Sequence, residues 1–247
     1  FMTIVPVRNF ESPPTEVGHC EIDCVAHCGG NMSGEFAWTL TLTDIVSGQT
    51  ECESVFGKSG YAIRKALEDI EKRLPFSLTA LYFDNGTEFL NEEVVQKFCR
   101  KNREKPILCF RGRPYRKNDQ CYVEQKNYTH VRCLFGYSRL DQVQCVHKMN
   151  ELYRKEWRLL QNFFMPQQKL VSKHRQGSKQ IRVMDRPQTP YKRLKDHLSE
   201  EEYKKLISQK NNLNPIRLQE SLKLKLRSFF KYYSTEILES EWSKMAS

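Results

Sequence analysis

The stretch Leu78–Leu90, LTALYFDNGTEFL, decides how the chain is read. Leu78 to Phe83 is a short apolar run, and it ends abruptly in Asp84-Asn85-Gly86. A carboxylate at the tip of a buried strand costs free energy unless it is solvated, paired or holding a cation. Asp-Asn-Gly is also common turn chemistry, so Asp84 alone reads as a turn residue. The reading changes only if other carboxylates reach the same place.

Outward from that strand the elements fall into a regular order. Upstream, HCEIDCVAH (19–27) is a strand, and AWTLTLTDIVSGQTECESVF (37–56) is a hairpin turning at Ser47-Gly48. GYAIRKALEDIEKRL (60–74) carries Ile63, Leu67, Ile70 and Leu74 at helical spacing and is closed by Pro75. Downstream, NEEVVQKFCRKN (91–102) is a helix capped by Asn91, with Val94, Val95 and Phe98 inward. KPILCF (105–110) is a strand, and CYVEQKNYTHVRCLFG (121–136) is a helix ended by Gly136. Three strands, helix, strand, helix, strand, helix is an α/β layer structure, an antiparallel meander feeding parallel strands.

The balance of charge bounds the partner. The chain has 247 residues, 39% hydrophobic and 28% charged, with formal net charge +10 and pI near 9.1. That excess suits a polyanion, nucleic acid before an anionic membrane surface. No apolar run approaches the roughly 20 residues that span a bilayer, and Arg8 and Glu11 interrupt the N-terminal apolar residues, against a signal peptide. Nine cysteines, an odd number scattered through the chain, are expected to be reduced and mostly buried.

Three acids stand where the strands and helix could bring them together: Asp23 in the first strand, Asp84 at the tip of the fourth, Glu124 in the first turn of the helix after the fifth. Open α/β sheets place ligands at that edge. Carboxylates so grouped repel, and a hard divalent cation such as Mg²⁺ or Mn²⁺ reverses the cost. Glu21 shares strand parity with Asp23, so periodicity does not separate them, while Asp44 is a further competitor and Glu88 reads as a solvated or capping acid.

EIDCVAHCGG, TLTLTDIVSGQTECESV, LYFDNGTEF and RPYRKNDQCYVEQKN, in that order, resemble the catalytic core of retroviral-type integrases and bacterial insertion-sequence transposases, the DDE enzymes of the ribonuclease H-like superfamily. The likeness covers about residues 18–140. The interval from Asp84 to Glu124 is longer than is usual there, and KNDQCYVE lacks the glycine that often precedes the glutamate. The resemblance favours Asp23 over Glu21 and implies that Asp23, Asp84 and Glu124 are catalytic and bind metal: two Mg²⁺ ions, with Mn²⁺ as substitute. It implies a mixed five-stranded ribonuclease H-like sheet flanked by helices. It further implies cleavage at the ends of a DNA element, transfer of the freed 3′-OH to target DNA, a homo-oligomer on double-stranded DNA, no membrane, and a cytoplasmic, nucleoid-associated place in a bacterium. A nuclease of the same fold that cuts without joining, and a domesticated DNA-binding protein, are the alternatives. No helix-turn-helix is recognisable before residue 18, and an end-recognition domain of that kind is expected upstream of this sequence.

Other residues carry weaker expectations. His27, near Asp23, could support the metal site by hydrogen bonding. His19, Cys20, Cys24, His27 and Cys28 cluster enough to raise zinc, but they lie in one strand instead of paired sets on turns. Arg111, Arg113, Arg116 and Lys117 lead to Glu124, and Lys126, Asn127 and His130 follow it; these seven are candidate DNA contacts. Between Lys169 and Lys195 nine Lys/Arg face one acid, Asp185, in a hairpin turning at Gln176-Gly177, where Lys173, Arg175, Lys179 and Arg182 are the candidates. The expected organisation is a lead-in (1–17), the core (18–140), a connecting helix (141–166), a small basic β-rich module (167–197) and a helical C-terminal tail (198–247) opened by a Ser199–Glu202 capping box.

Overall fold

The computed structural model describes residues 5–8, 13–99, 106–113 and 120–245. Strands β1 (His19–Ala26), β2 (Ala37–Asp44), β3 (Thr50–Phe56), β4 (Ala80–Phe83) and β5 (Leu108–Arg111) form one mixed sheet in the order β3-β2-β1-β4-β5. β1, β2 and β3 are antiparallel, whereas β1, β4 and β5 run parallel. This is the ribonuclease H-like mixed sheet that the sequence led us to expect.

One face of the sheet is apolar. Cys20 and Ile22 of β1, Leu40 and Leu42 of β2, and Leu81 and Phe83 of β4 pack on α1 (Gly60–Glu71) and on α2 (Glu92–Val94), which continues as a wider π-type turn through Val95–Cys99. Ile63, Leu67 and Ile70 supply the buried stripe of α1, Ser59 caps its first turn, and Asn91 accepts from Val94 N in α2.

The other face is polar and is nevertheless covered. Every residue of β2 is buried, although AWTLTLTD alternates as a half-exposed strand would. Thr39, Thr41 and Thr43 are buried there: the Thr39 hydroxyl meets His27 (2.8 Å) and Ser54 (3.0 Å), Thr41 accepts from the Cys52 thiol (3.9 Å), and Thr43 meets Thr50 (3.2 Å). The cover is α3 (Cys121–Lys126), extended by a π-type turn Asn127–Arg132 and by α4 (Cys133–Phe135), then α5 (Val143–Leu152), a second π-type turn and α6 (Arg158–Phe164). Glu51 and Glu53 of β3 are also buried, held by Arg73, Arg154 and Arg158. That ion cluster fixes α5–α6 to the sheet's outer edge and left no periodic signal in the sequence.

Beyond α6 come the hairpin β6 (Leu170–Gln176) and β7 (Lys179–Met184), then α7 (Pro190–Arg193), α8 (Glu200–Asn211) with the expected Ser199–Glu202 capping box, and α9 (Pro215–Met245). The first part of α9 is no free tail: Leu222, Phe229 and Tyr233 are buried with Phe135, Met149 and Tyr153. No helix among the described residues is long and apolar enough to cross a membrane. Cys20, Cys52 and Cys145 are buried free thiols as expected, whereas Cys121 and Cys133 are exposed and Cys109 is disulfide-bonded, against the all-reduced expectation.

Gly18, just ahead of β1, has φ +97°, and a Cβ there would lie 2.4 Å from the Ser77 carbonyl oxygen. Gly18 N donates to Asp44 Oδ1 at 2.9 Å, so the strain cannot be relieved by moving that loop freely. Gly18→Ala is expected to cost at least about 2 kcal/mol in denaturant unfolding.

Candidate active site

The parallel register of β1 and β4 places the first two acids side by side. Glu21 pairs with Tyr82, and two residues further on stand Asp23, still within β1, and Asp84, just past the end of β4. Burial pushes the Asp23 carboxyl up to about 6, and the charges of Asp84 and Glu124 add to the rise. Asp84 is raised as well, first by burial and then by Glu88, with Lys58 opposing. Its loop is tight: Gly86 N donates to Asp84 Oδ1 at 2.8 Å, and a Cβ on Gly86 would sit 2.8 Å from that oxygen and 2.7 Å from Glu88 Cδ. Glycine in Asp-Asn-Gly is therefore what lets Asp84 and Glu88 approach each other.

Helix α3 is docked onto β1 at two points. Asn127 Nδ2 donates to Asp23 Oδ2 at 2.6 Å, while Cys24 N donates to Asp23 Oδ1 at 2.8 Å. Glu21 is fully buried and accepts from Tyr122 N (2.9 Å), Val123 N (3.1 Å) and Arg8 Nη1 (2.7 Å). Glu21 thus caps the helix that carries Glu124. Asp44, the other competitor, closes the β2–β3 turn by accepting from Ser47 N, Ser47 Oγ and Gly18 N. Both alternatives to Asp23 have structural duties.

Glu124 is exposed in the first turn of α3. Among the described residues no three His, Cys, Asp or Glu side chains surround one point as a metal-binding group. The three acids share one edge of the sheet without closing into a single ligand set. Two observations fit a hydrated hard cation there all the same. The donors at the edge are carboxylate oxygens whose mutual repulsion is only partly offset by Lys58 and by hydrogen bonds, and Asn127 Oδ1 is buried beside Asp23 with no hydrogen-bond partner.

Several expected contacts are otherwise employed. His27 shares a hydrogen bond with Thr39 Oγ1 (2.8 Å) and meets Phe135 edge-on; burial pushes it down to about 3, so it is a neutral core residue with no bond to Asp23. His130 is 2% exposed, bonded to Thr129 and edge-on to Trp157, and so is not available to DNA. Lys126 donates to Gln167 Oε1 at 2.5 Å, and burial, with the Lys169 charge, pulls it down to about 8. Asn127 serves Asp23. Arg111 donates to Asn85 Oδ1 and Val5 O, both at 3.1 Å, and Asn85 in turn donates to Gly112 O at 3.1 Å. Arg111 therefore steadies the loop holding Asp84. Arg113 follows β5, while Arg116 and Lys117 lie outside the described residues. Lys173, Arg175, Lys179 and Arg182 are exposed.

Sequence reasoning missed Lys58 and undervalued Glu88. Lys58 lies 3.4 Å from Glu88 and 4.7 Å from the Trp38 ring centroid. Its position on the β3–α1 connection carries no pattern, although the spacing of Glu88 from Asp84 was visible.

The fold and this edge define the class: a ribonuclease H-like sheet with acids from neighbouring parallel strands at its carboxyl end. The chain is 40% identical over 190 residues to the uncharacterized protein y4rM of Sinorhizobium fredii (strain NBRC 101917 / NGR234), a match covering 76% of this chain. It spans about half, 53%, of that relative's length. No family model matches. Among solved structures, the catalytic core domain of BIV integrase aligns with TM-score 0.33 at 16% identity, covering 44% of this chain and 62% of that one. A simian T-cell lymphotropic virus intasome in complex with PP2A regulatory subunit B56 gamma aligns with TM-score 0.40 at 14% identity, covering 53% of this chain and 44% of that one. Likenesses of that size decide nothing about chemistry, which rests on the residues themselves.

Proposed function

We propose that this chain is the catalytic core of a DNA transposase or integrase of the DDE type. The observation that carries the reading is the Asn127–Asp23 hydrogen bond at 2.6 Å, which docks the helix of Glu124 onto the strand of Asp23 beside Asp84. In this reading Asp23 and Asp84 hold Mg²⁺, or Mn²⁺ in its place, and Glu124 completes the site from α3. Bound there, the metal would polarise a phosphodiester and acidify a water. Asn127 orients Asp23, Arg111 acting through Asn85 steadies Asp84, and Lys58 offsets the charge of Glu88. The water oxygen bonds to phosphorus as the 3′-oxygen departs with a proton. That hydroxyl then attacks a target phosphodiester: its oxygen bonds to the phosphorus of the target 5′-phosphate as the target's own 3′-oxygen leaves and takes up the proton. The substrate is duplex DNA, and work on two element ends calls for a homo-oligomer.

Anomalous diffraction from Mn²⁺-soaked crystals tests the site. Manganese between Asp23 and Asp84, lost in Asp84→Asn, is the expected result. Manganese bound elsewhere, or not at all, returns Asp84 to turn chemistry and leaves a non-catalytic DNA-binding protein. A pre-cut 3′-OH end that is never joined to target DNA would instead favour the nuclease.

A further inference from the structure

The β6–β7 hairpin is the least explained part of the molecule. Two strands standing alone are marginal in water, and here twelve of the thirteen residues of the two strands are exposed, with only Ile181 half-buried. The pairing register sorts its side chains by face. Lys173 is opposite Arg182 and Arg175 is opposite Gln180, so these share one face. His174 opposite Ile181, and Ser172 opposite Val183, occupy the other. Directly opposed like charges destabilise a ladder. No carboxylate occurs between Leu170 and Met184, and no ion pair to Lys173 or Arg182 is present among the described residues.

The base of the hairpin, by contrast, is bolted down. Gln167 and Gln188 exchange backbone hydrogen bonds at 2.8 and 3.1 Å. Asp185 accepts from Lys169 N (2.7 Å) and Arg193 Nη1 (2.5 Å). The Lys169 ammonium donates to the carbonyls of Ile45 and Val46 in the β2–β3 turn, and Lys126 on α3 donates to Gln167. A firmly seated ribbon therefore projects from the helix that carries Glu124.

Resting on the DNA reading above, we infer that this ribbon enters the major groove of duplex DNA, with the Lys173–Arg175–Arg182 face toward the phosphates. Two antiparallel strands match the width of that groove in B-form DNA. A-form RNA offers a major groove too deep and narrow for side chains to read. Single strands are held by aromatic platforms, and the ribbon has no Phe, Tyr or Trp. The polyanion supplies what the opposed cations lack, and the bolted base transmits its position to α3.

The test is fluorescence anisotropy of the whole chain with a labelled random-sequence DNA duplex, read as the slope of log Kd against log salt without divalent metal. Each phosphate contact contributes about 0.9 to that slope. Lys173→Gln with Arg182→Gln is expected to lower it by about 2 and to weaken binding. Arg217→Gln with Lys223→Gln removes equal charge from exposed positions on α9 and is expected to leave the slope unchanged. Because Lys173 and Arg182 are exposed and their opposed charges are removed together, thermal melts of the ribbon variant should be no lower than the parent's. An unaltered slope in the ribbon variant, or an equal fall in both, overturns the groove assignment while leaving DNA binding intact. Tighter binding to single strands or to RNA duplex overturns it as well. No DNA binding by the parent chain sinks the transposase reading itself.

Discussion

Asp23→Asn is expected to make the metal-free protein more stable at neutral pH while abolishing metal-dependent DNA cleavage. The Asp23 carboxyl rises from 3.8 to about 6 in the folded chain, first through burial and then through Asp84 and Glu124. Between about pH 4 and 6 the folded state keeps a proton that the unfolded state has released, so stability falls as pH rises through that window. Above it the full penalty is present, up to about 3 kcal/mol at about 1.4 kcal/mol per pK unit. Asparagine removes the charge, keeps one oxygen to accept from Cys24 N, and turns its amide NH2 toward Asn127, whose unpartnered Oδ1 can accept once that amide flips. The gain should therefore appear in melts above pH 7 and vanish near pH 4. Metal affinity should fall as pH drops below about 6, because the ligand must be deprotonated. Loss of activity should exceed the about 10–100-fold cost of removing a supporting partner. A variant that melts lower at neutral pH would mean that Asp23 is held as an ion by its hydrogen bonds and is not poised for a cation.

How much of this was legible in the sequence depends on what each residue must satisfy. The strands and helices were legible because Ile63, Leu67 and Ile70, or Leu81 and Phe83, face a single apolar layer. Asp23 and Asp84 were legible as a pair because parallel strands in register put both at one edge. What failed was the assumption that a polar residue near the site serves the ligand. Lys126, Asn127 and His130 lie on the polar face, where α3 to α6 cover threonines and glutamates, Arg111 ends β5 beside the Asp84 loop, and each is used to satisfy a neighbour. Pairing of that kind depends on three-dimensional neighbours such as Gln167, distant in the chain from Lys126, and has no period to read. The ribbon was the converse case: its charge was plain in the sequence, but the facing of Lys173 against Arg182 needed the register, and the anticipated β-rich module is only two strands.

Glu21→Ala should be the most damaging single change outside the acids of the edge. The side chain is wholly buried and serves Tyr122 N, Val123 N and the Arg8 guanidinium at once. Removing it leaves the first amides of α3 without their acceptor and takes from Arg8 its buried carboxylate, which on the scale of broken buried ion pairs costs about 3–5 kcal/mol. Glu21→Gln keeps one acceptor oxygen for those amides and should cost less. Chain length separates this residue from Asp23, which shares its face: the longer side chain spans to the helix N-terminus, and the shorter one, two residues onward, stays at the sheet edge beside Asp84. Urea unfolding of both variants would decide it. If Glu21→Ala loses less than about 1 kcal/mol, the cap is not what seats α3, and the docking of Glu124 has to rest on Asn127 alone.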